Sequence, residues 1–463
     1  MRRFTLFSLA FVAILAAAGG TPAAESLEKQ VLGSILDYPA GPAPVEELRK
    51  GGPASLDELF RIRTGVEQRL KAAIAAPATE ESPYHIRYVE RQLARLDNII
   101  DQVGMQRYCT RSRLYWYTDF EQAKAEATKS GKPILSLRML GNLNEDFSCA
   151  NSRFFRTTLY ANEEISKFLR ENYILHWKSV RPVPRVTIDF GDGRKLERTI
   201  TGNSIHYVLT PDGEVVEALP GLYGPQAFLA KLSEALPVAR SVAALSPEER
   251  QPLLAEYHAR EFLVISDRFA ADLARVQAGT LATAAVAPQP AAARKAGPPA
   301  ANVAAAVARP KVEIERPLLA AALPLSSDPT KLDDDNVWQA IAALHAGEAR
   351  IDNSSRELIR SENPNAAIAG RLAITKRRVE DPLVRLVQTL ESSIALDSMK
   401  NEYRFHRQIH EWLMAGNYRP DVDTLNERVY AELFLTPRSD PWLGLAPAEV
   451  YTALPNAGVV QAK

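Results

Sequence analysis

The spacing of apolar residues along the chain is helical at both ends and mixed in the middle. Between residues 25 and 106, apolar positions such as Leu59, Ile62 and Val66 recur three or four residues apart. This interval places them on one face of a helix. We therefore predict a helical N-terminal module over residues 25–106, built from two antiparallel helices.

Residues 107–238 alternate between helical and strand-like patterns. The predicted elements are helix 119–130, strand 133–140, helix 149–171, strand 173–180, hairpin 186–200, strands 205–209 and 215–219, and helix 226–236. Strands that alternate with helices form a sheet covered by helices. The pattern predicts an α/β domain with a mixed sheet and helices on both faces.

The rest of the chain is helical apart from one segment of biased composition. Helical spacing of apolar residues predicts a helical segment over residues 239–279 and a helical C-terminal domain over residues 312–463. Between them, residues 280–311 are dominated by Ala and Pro and contain no aromatic residue. Such a segment cannot build a core, so we predict an extended, semi-stiff linker.

The first 24 residues have the pattern of a secretory signal peptide. Arg2 and Arg3 precede an apolar stretch at residues 4–18, and small residues follow at 21–24. The apolar stretch is shorter than the roughly 20 residues that a membrane-spanning helix needs, so we favour cleavage over a retained anchor. We therefore expect a periplasmic or secreted protein with no membrane span after cleavage, in a compartment where disulfides persist.

The numbers of positively and negatively charged residues are equal. Lys and Arg number 56 in the 463 residues, and Asp and Glu also number 56. Proteins that bind nucleic acid or anionic membranes carry a basic excess. We therefore expect no nucleic-acid partner. The oligomeric state does not follow from these features.

Cys149 is the strongest candidate for chemistry. It follows a predicted strand and a polar loop, and it opens a predicted helix. Unpaired amides at the start of a helix favour the thiolate, which is the nucleophilic form of cysteine. Ser152 stands at the fourth position, so the motif is Cys-x-x-Ser instead of the two-thiol Cys-x-x-Cys. Ser152 could hydrogen-bond the sulfur but cannot resolve a mixed disulfide.

Cys109 is the second of the two cysteines and has two alternative roles. In an exported protein an even cysteine count suggests a disulfide, and Cys109 has only Cys149 as a partner. That bond would be a structural link or, if reversible, a redox switch. Alternatively, Cys109 resolves a mixed disulfide formed at Cys149.

His206 is a candidate for stabilising the thiolate. It lies two residues after Ser204 on the same strand, so the two side chains share a face of the sheet. A protonated imidazole near a thiolate stabilises it by charge pairing. An ordinary polar position in a strand is the alternative, and we favour it.

Glu402, His406 and His410 are spaced four residues apart, which aligns them on one helix face. A carboxylate and two imidazoles can bind zinc or another transition metal. Aromatic residues such as Tyr403 and Phe405 are interleaved with them. A packed helix with polar edges accounts for this pattern more simply, so we assign no metal and no cofactor.

A series of short motifs runs through the middle region. A predicted helix ends in Gly131-Lys132-Pro133, a strand follows, Cys149 opens the next helix, and Val208–Gly213 ends in Pro-Asp-Gly. In this order the motifs resemble the thioredoxin-like fold of exported bacterial proteins. The resemblance implies a thioredoxin-like domain over residues 107–238, with all-α regions on either side. It also implies that Cys149 stands where the family has its first active cysteine.

Three departures bear on the chemistry that the resemblance implies. Ser152 replaces the second cysteine, as in relatives that work with one thiol. No proline lies near Asn203 and Ser204, where the family has a cis-proline that grips a peptide substrate. The hairpin over residues 186–200 replaces a helix between two strands. Together these departures weigh against ordinary disulfide exchange.

Two functions of different classes follow from these expectations. In the first, the domain is a redox-degenerate binding or scaffolding module in the cell envelope, with a protein partner. In the second, it is a monothiol-type thiol-disulfide oxidoreductase or redox sensor that acts through Cys149 on protein thiols. The missing cysteine and proline favour binding, while the helix-start position of Cys149 favours thiol chemistry. Binding is the interpretation we favour, and whether the protein is an enzyme stays open.

Overall fold

The computed structural model describes the greater part of the chain. The described residues are Val31, Gly33, 45–199, 202–284, 328–363, 382–415 and 421–443. The predicted signal peptide and most of the predicted linker lie outside them. The chain divides into two compact units. The first contains the described residues up to Thr118 together with Leu143–Asp146, and the second contains the others.

The first unit is helical, as the spacing of its apolar residues predicts. Its elements are α1 (Val45–Lys50), α2 (Pro53–Ala75), α3 (Ser82–Gly104), α4 (Cys109–Ser112) and the two-residue strand β1 (Trp116–Tyr117). Leu59, Ile62 and Val66 are buried on α2 and share a core with Leu96 and Ile100 of α3. The predicted pair of packed helices is confirmed.

A buried carboxylate organises the turn that follows α3. Asp101 accepts hydrogen bonds from the backbone amides of Tyr108 (3.2 Å) and Cys109 (2.8 Å). It also accepts one from the Arg107 guanidinium (2.9 Å). Burial outweighs these bonds and raises the pKa of the Asp101 carboxyl to about 6. Asp101 therefore holds the start of α4 in place while carrying a desolvated charge at neutral pH.

The second unit contains a mixed sheet. Its strands are β2 (Ile134–Leu140), β3 (Ile174–Arg181), β4 (Arg185–Asp189), β5 (Lys195–Thr199), β6 (Ser204–Leu209) and β7 (Val215–Pro220). Within this unit, four of them form a sheet in the order β3-β2-β6-β7. β2 runs parallel to β3 and antiparallel to β6, and β6 is antiparallel to β7. Every residue of β2 is buried, as expected for a central strand.

Helices flank this sheet and form the rest of the second unit. They are α5 (Phe120–Ser130), α6 (Ala150–Phe154), α7 (Glu163–Asn172), α8 (Pro225–Ala243), α9 (Pro247–Ala284), α10 (Asp335–Leu344), α11 (Asn353–Glu362), α12 (Pro382–Lys400), α13 (Arg407–Leu413) and α14 (Val422–Arg428). α5 packs on β2 and β3, and α8 packs on β6 and β7. The predicted mixed α/β architecture is confirmed. None of the described helices combines the length and the apolar character needed to cross a bilayer.

The prediction of one helix over residues 149–171 is wrong. α6 passes into a π-helical turn at Phe155–Leu159, and α7 begins only after Asn162. The Asn162 side chain accepts a hydrogen bond from the Ile165 amide (3.0 Å). Because asparagine is a strong N-cap residue, it starts a new helix at this point.

The strands β4 and β5 form a separate antiparallel hairpin in which Ile188 is opposite Leu196. Gly191 and Gly193 form its turn, with φ values of 76° and 90° that other residues rarely adopt. The predicted hairpin is confirmed over the described residues 185–199.

A π-helical segment, Asn401–His406, joins α12 to α13 without a break. Such segments occur inside α-helices mainly as single turns, often at functional sites. The segment carries two of the three residues that the sequence offers as metal ligands, Glu402 and His406. His410 follows on α13.

Candidate functional site

Cys149 stands at the helix start that the sequence predicts. It is the residue before α6, and its amide donates to the Leu140 carbonyl at the end of β2 (3.1 Å). Its side chain is buried, with 0% of its surface exposed. The strand, the loop and the helix start therefore position a cysteine as predicted, but the sulfur lies inside the unit.

Two tyrosines lie near the Cys149 thiol. Burial raises the pKa of both Tyr160 and Tyr430, and the neighbouring Cys149 adds to the rise. The Tyr430 hydroxyl donates to the Asn203 carbonyl (3.1 Å). Tyr430 thereby bonds the segment before β6, where the proline expected from the resemblance is missing. Tyr160 and Tyr430 therefore help to enclose the Cys149 thiol.

Ser152 is buried beside Cys149. Its hydroxyl oxygen lies 2.6 Å from Ser148 Oγ and 2.9 Å from the Cys149 carbonyl oxygen. Ser152 therefore hydrogen-bonds to the backbone and side chain at the start of α6. These bonds give the serine a structural role there.

His206 lies in an aromatic environment. Its Nε2 atom is 2.7 Å from the Tyr160 hydroxyl, and its ring contacts the rings of Phe155 and Phe228. Burial lowers the pKa of His206 to about 3, so the imidazole is neutral at physiological pH. A neutral ring cannot supply the positive charge that pairing with a thiolate requires.

Cys109 lies in the first unit, at the start of α4. Its Sγ donates to the Leu114 carbonyl at 3.4 Å, and burial raises the pKa of this thiol. Cys109 and Cys149 are both free thiols, so the structure does not contain the disulfide that the even cysteine count suggests.

A second candidate site surrounds the three residues Glu402, His406 and His410. All three are buried. The fold brings two further buried residues to them, Glu217 from β7 and His258 from α9. Sequence reasoning missed both, because neither lies near the helix in the chain. Glu217 offered one signal, since it is the only charged residue in the strand Val215–Pro220.

Three of these side chains bring one atom each to a common point. His406 Nε2 lies 3.0 Å from Glu217 Oε1 and 2.9 Å from His410 Nε2. The separation between His410 Nε2 and Glu217 Oε1 is 3.6 Å. Glu402 lies outside this triangle, on the opposite side of the His406 ring, because its Oε2 atom contacts His406 Nδ1 at 2.9 Å. The three residues that meet therefore differ from the three weak candidates of the sequence: Glu217 takes the place of Glu402.

An outer ring of polar groups holds the triangle in position. His258 Nδ1 lies 3.0 Å from His410 Nδ1, and the Tyr257 hydroxyl donates to Glu217 Oε2. Lys231 forms an ion pair with Glu402 Oε1 (2.7 Å). Each member of the triangle thus has a partner on its outer side.

The electrostatics of this cluster separate its three histidines. Burial lowers the pKa of His258 to about 4 and that of His410 well below its usual value. Burial acts in the same direction on His406, but the Glu402 and Glu217 carboxylates outweigh it and raise the pKa of His406 to about 9. Without another cation, His406 is the protonated member and bridges two carboxylates.

Comparisons with known proteins identify no relative of this chain. No protein-family model matches it, and neither a curated protein nor a solved structure gives a significant match. The roles of the residues are therefore argued from their geometry and chemistry.

Proposed function

We infer that this chain is an exported, thioredoxin-like protein whose central domain binds or scaffolds a protein partner in the cell envelope. The observation that carries this proposal is the burial of Cys149, whose side chain is 0% exposed. Thiol-disulfide exchange requires the sulfur to reach a disulfide, and reactive cysteines are partly exposed. A buried sulfur, with a serine in place of the second cysteine of the motif, favours binding over catalysis.

The architecture supports the thioredoxin-like part of the proposal. A mixed sheet flanked by helices, with a cysteine between the end of β2 and the start of α6, agrees with what the resemblance implies. The bond from Tyr430 to Asn203 occupies the position at which the family presents its proline to a substrate. The proposed protein kept the framework and lost the peptide-gripping surface.

The hairpin of β4 and β5 is the binding surface in this proposal. Val186 and Ile188 of β4, and Phe190 directly after it, are spaced two residues apart, so their side chains share one face of the hairpin. They are 38%, 48% and 56% exposed. Adjacent exposed apolar side chains mark protein interaction sites more often than single ones do. Thr187, between them, points to the opposite face of the hairpin and provides a matched control position.

A photo-crosslinking experiment in intact cells tests the binding function. A photoreactive amino acid at position 188 should give a discrete crosslinked product with an envelope protein, and the same amino acid at position 187 should give far less. Crosslinking should persist in a Cys149→Ser background. Equal products at the two positions, or none at either, would contradict binding through this face.

The alternative, a monothiol-type oxidoreductase or redox sensor, is favoured by the helix-start position of Cys149. It requires local opening of the fold around the sulfur. The same Cys149→Ser variant distinguishes the two functions. If Cys149→Ser loses crosslinking or cellular function while its circular dichroism spectrum is unchanged, the result would support thiol chemistry and contradict the binding proposal.

A further inference from the structure

We propose that Glu217, His406 and His410 form a binding site for one divalent transition-metal ion, with Zn²⁺ as the best match. The site lies inside the second unit, and its three residues are 0–3% exposed. It goes beyond the proposed binding function, since it does not involve Cys149 or the hairpin of β4 and β5.

The distances within the triangle fit a shared ion. The three candidate ligand atoms, His406 Nε2, His410 Nε2 and Glu217 Oε1, are separated by 2.9, 3.0 and 3.6 Å. Ligands bound to zinc at about 2.0–2.2 Å in a tetrahedron lie about 3.3–3.6 Å from one another. An ion could therefore contact all three atoms after shifts of a few tenths of an ångström.

The outer partners are those that a metal site requires. A histidine that binds a metal through one ring nitrogen almost always uses the other for a hydrogen bond that fixes its orientation. His406 Nδ1 contacts Glu402 Oε2 at 2.9 Å, and His410 Nδ1 contacts His258 Nδ1 at 3.0 Å. Both Nε2 atoms are consequently directed at the same point.

The carboxylate of Glu217 is held in the same manner. Its Oε2 atom accepts from the Tyr257 hydroxyl. Its Oε1 atom, which faces the two imidazoles, also accepts from the Ala218 amide at 2.8 Å. Both oxygens of Glu217 are therefore held by hydrogen bonds, and Oε1 retains a second lone pair for a single metal bond.

The charges and donor types indicate the class of ion. With neutral imidazoles, the buried cluster contains two carboxylates, Glu217 and Glu402, and one ammonium, Lys231. A cation offsets the remaining negative charge in a place where desolvated charge is unfavourable. Two imidazole nitrogens and one carboxylate oxygen suit zinc and its neighbours, whereas calcium and magnesium prefer oxygen alone.

A proton is the competing occupant of this point. A proton on His406 Nε2 bonds that nitrogen to one neighbour at a time, whereas a metal ion bonds all three atoms together.

Since the ligands come from β7 and from the helix formed by α12, the π-helical segment and α13, a bound ion would link the sheet to the C-terminal helices. Ligands that bind only the folded state stabilise it, so the site would act as an internal crosslink.

Metal titration of the untagged full-length chain tests the proposal. After removal of bound metal with a chelator, Zn²⁺ binding is measured by competition with a chromophoric chelator and by elemental analysis. We expect about one equivalent per chain and a rise in melting temperature. Glu217→Gln and His410→Gln should each weaken binding at least tenfold. His85→Gln, which removes an exposed histidine of the first unit, should leave it unchanged.

Glu402→Gln distinguishes this site from the alternative set of candidate ligands, Glu402, His406 and His410, that lie on one helix face. The glutamine side chain keeps an acceptor for His406 Nδ1, so binding should weaken less than in Glu217→Gln. If the wild-type chain does not bind Zn²⁺ stoichiometrically, or if Glu217→Gln and His410→Gln bind as tightly as the wild type, the proposal is overturned.

Should these variants fail to fold, X-ray absorption of the zinc-loaded wild-type chain decides the question. Scattering from two imidazoles and at least one oxygen would support the site. A zinc ion surrounded by sulfur, by oxygen alone or by a single imidazole would refute it.

Discussion

Arg138 and Asp423 form an ion pair between the centre of the sheet and the first turn of α14. Arg138 Nη2 lies 3.0 Å from Asp423 Oδ1, and the Arg138 side chain is 1% exposed. Burial lowers the pKa of Arg138, and the Asp423 carboxylate opposes this change. A buried guanidinium needs such a partner, since an unpaired buried charge is strongly destabilising.

The Asp423→Asn variant should be less stable because it leaves the buried Arg138 without its counter-charge. We expect a loss of about 3 kcal/mol, the lower end of the range for a broken buried pair, since Asp423 itself is half-exposed. Lys178 contacts the other oxygen of the same carboxylate at 2.7 Å, but it is half-exposed too. Lys178→Ala should therefore change stability by less than about 1 kcal/mol. Urea unfolding measures both variants, and equal losses would contradict the role of burial.

His345 lies between two carboxylates in the second unit. Its Nδ1 atom is 2.8 Å from Glu348 Oε1, and its Nε2 atom is 2.6 Å from Asp272 Oδ2. The hydrogen bond to Glu348, followed by that to Asp272, raises the pKa of His345 against the effects of burial and of the Arg268 charge. The folded state therefore favours the imidazolium form.

This arrangement predicts a loss of stability as the pH rises. Because the pKa of His345 is higher in the folded chain than its usual value near 6.5, the folded state binds the proton more tightly. Its contribution is complete below about pH 6.5 and disappears as the pH rises through the folded pKa. The stability difference between wild type and His345→Asn should therefore shrink as the pH rises above about 6.5. Denaturant unfolding in the presence of a chelator measures it, and a constant difference would exclude this linkage.

The burial of Cys149 predicts slow alkylation of the native protein. Both thiols should react fully in denaturant, whereas Cys149 in the folded chain should react only as fast as the structure opens. Tyr430→Ala removes a large side chain near the sulfur and should accelerate the reaction of Cys149. Cys109, buried in the first unit, is the internal control whose rate should stay unchanged. Rapid alkylation of Cys149 in the wild-type chain would instead make thiol chemistry the leading function.

Local patterns were sufficient to predict the elements that position Cys149. β2 is a buried strand of mostly apolar residues, and the cysteine follows at a helix start, so strand and helix could be recognised from neighbouring residues alone. The apolar spacing continues through the interruption, so by itself it predicts one unbroken helix over residues 149–171. Asn162, which caps α7, is the local signal for a new helix start.

The buried cluster of Glu217, His406 and His410 could be predicted only in part from local sequence patterns. The spacing of Glu402, His406 and His410 could be read from one helix because residues four apart share a face. Glu217 is 189 residues away from His406 in the chain, and only the packing of β7 on the helix brings the two together. A charged residue in a buried strand requires a partner, so a partner for Glu217 could be expected. Which residue would provide it depends on tertiary contacts that no local pattern encodes.

Asp101 in the first unit provides a second test of charge burial. Its carboxyl is 6% exposed, and burial raises its pKa from 3.8 to about 6 despite three hydrogen bonds. Between these two pH values, the folded chain retains a proton that the unfolded chain has released. The stabilisation is therefore complete below about pH 4 and is lost as the pH rises through about 6.

The Asp101→Asn variant should reveal this cost, because asparagine is neutral at every pH. The difference between pKa values of 3.8 and about 6 for the Asp101 carboxyl corresponds to roughly 3 kcal/mol. The stability of the wild-type chain relative to Asp101→Asn should therefore fall by roughly that amount between about pH 3.5 and about pH 7.5. Asp97→Asn, which removes a more exposed carboxylate from the same helix, is the matched control. A pH-independent difference for Asp101→Asn would mean that the bonds from Arg107, Tyr108 and Cys109 offset the desolvation of the charge in full.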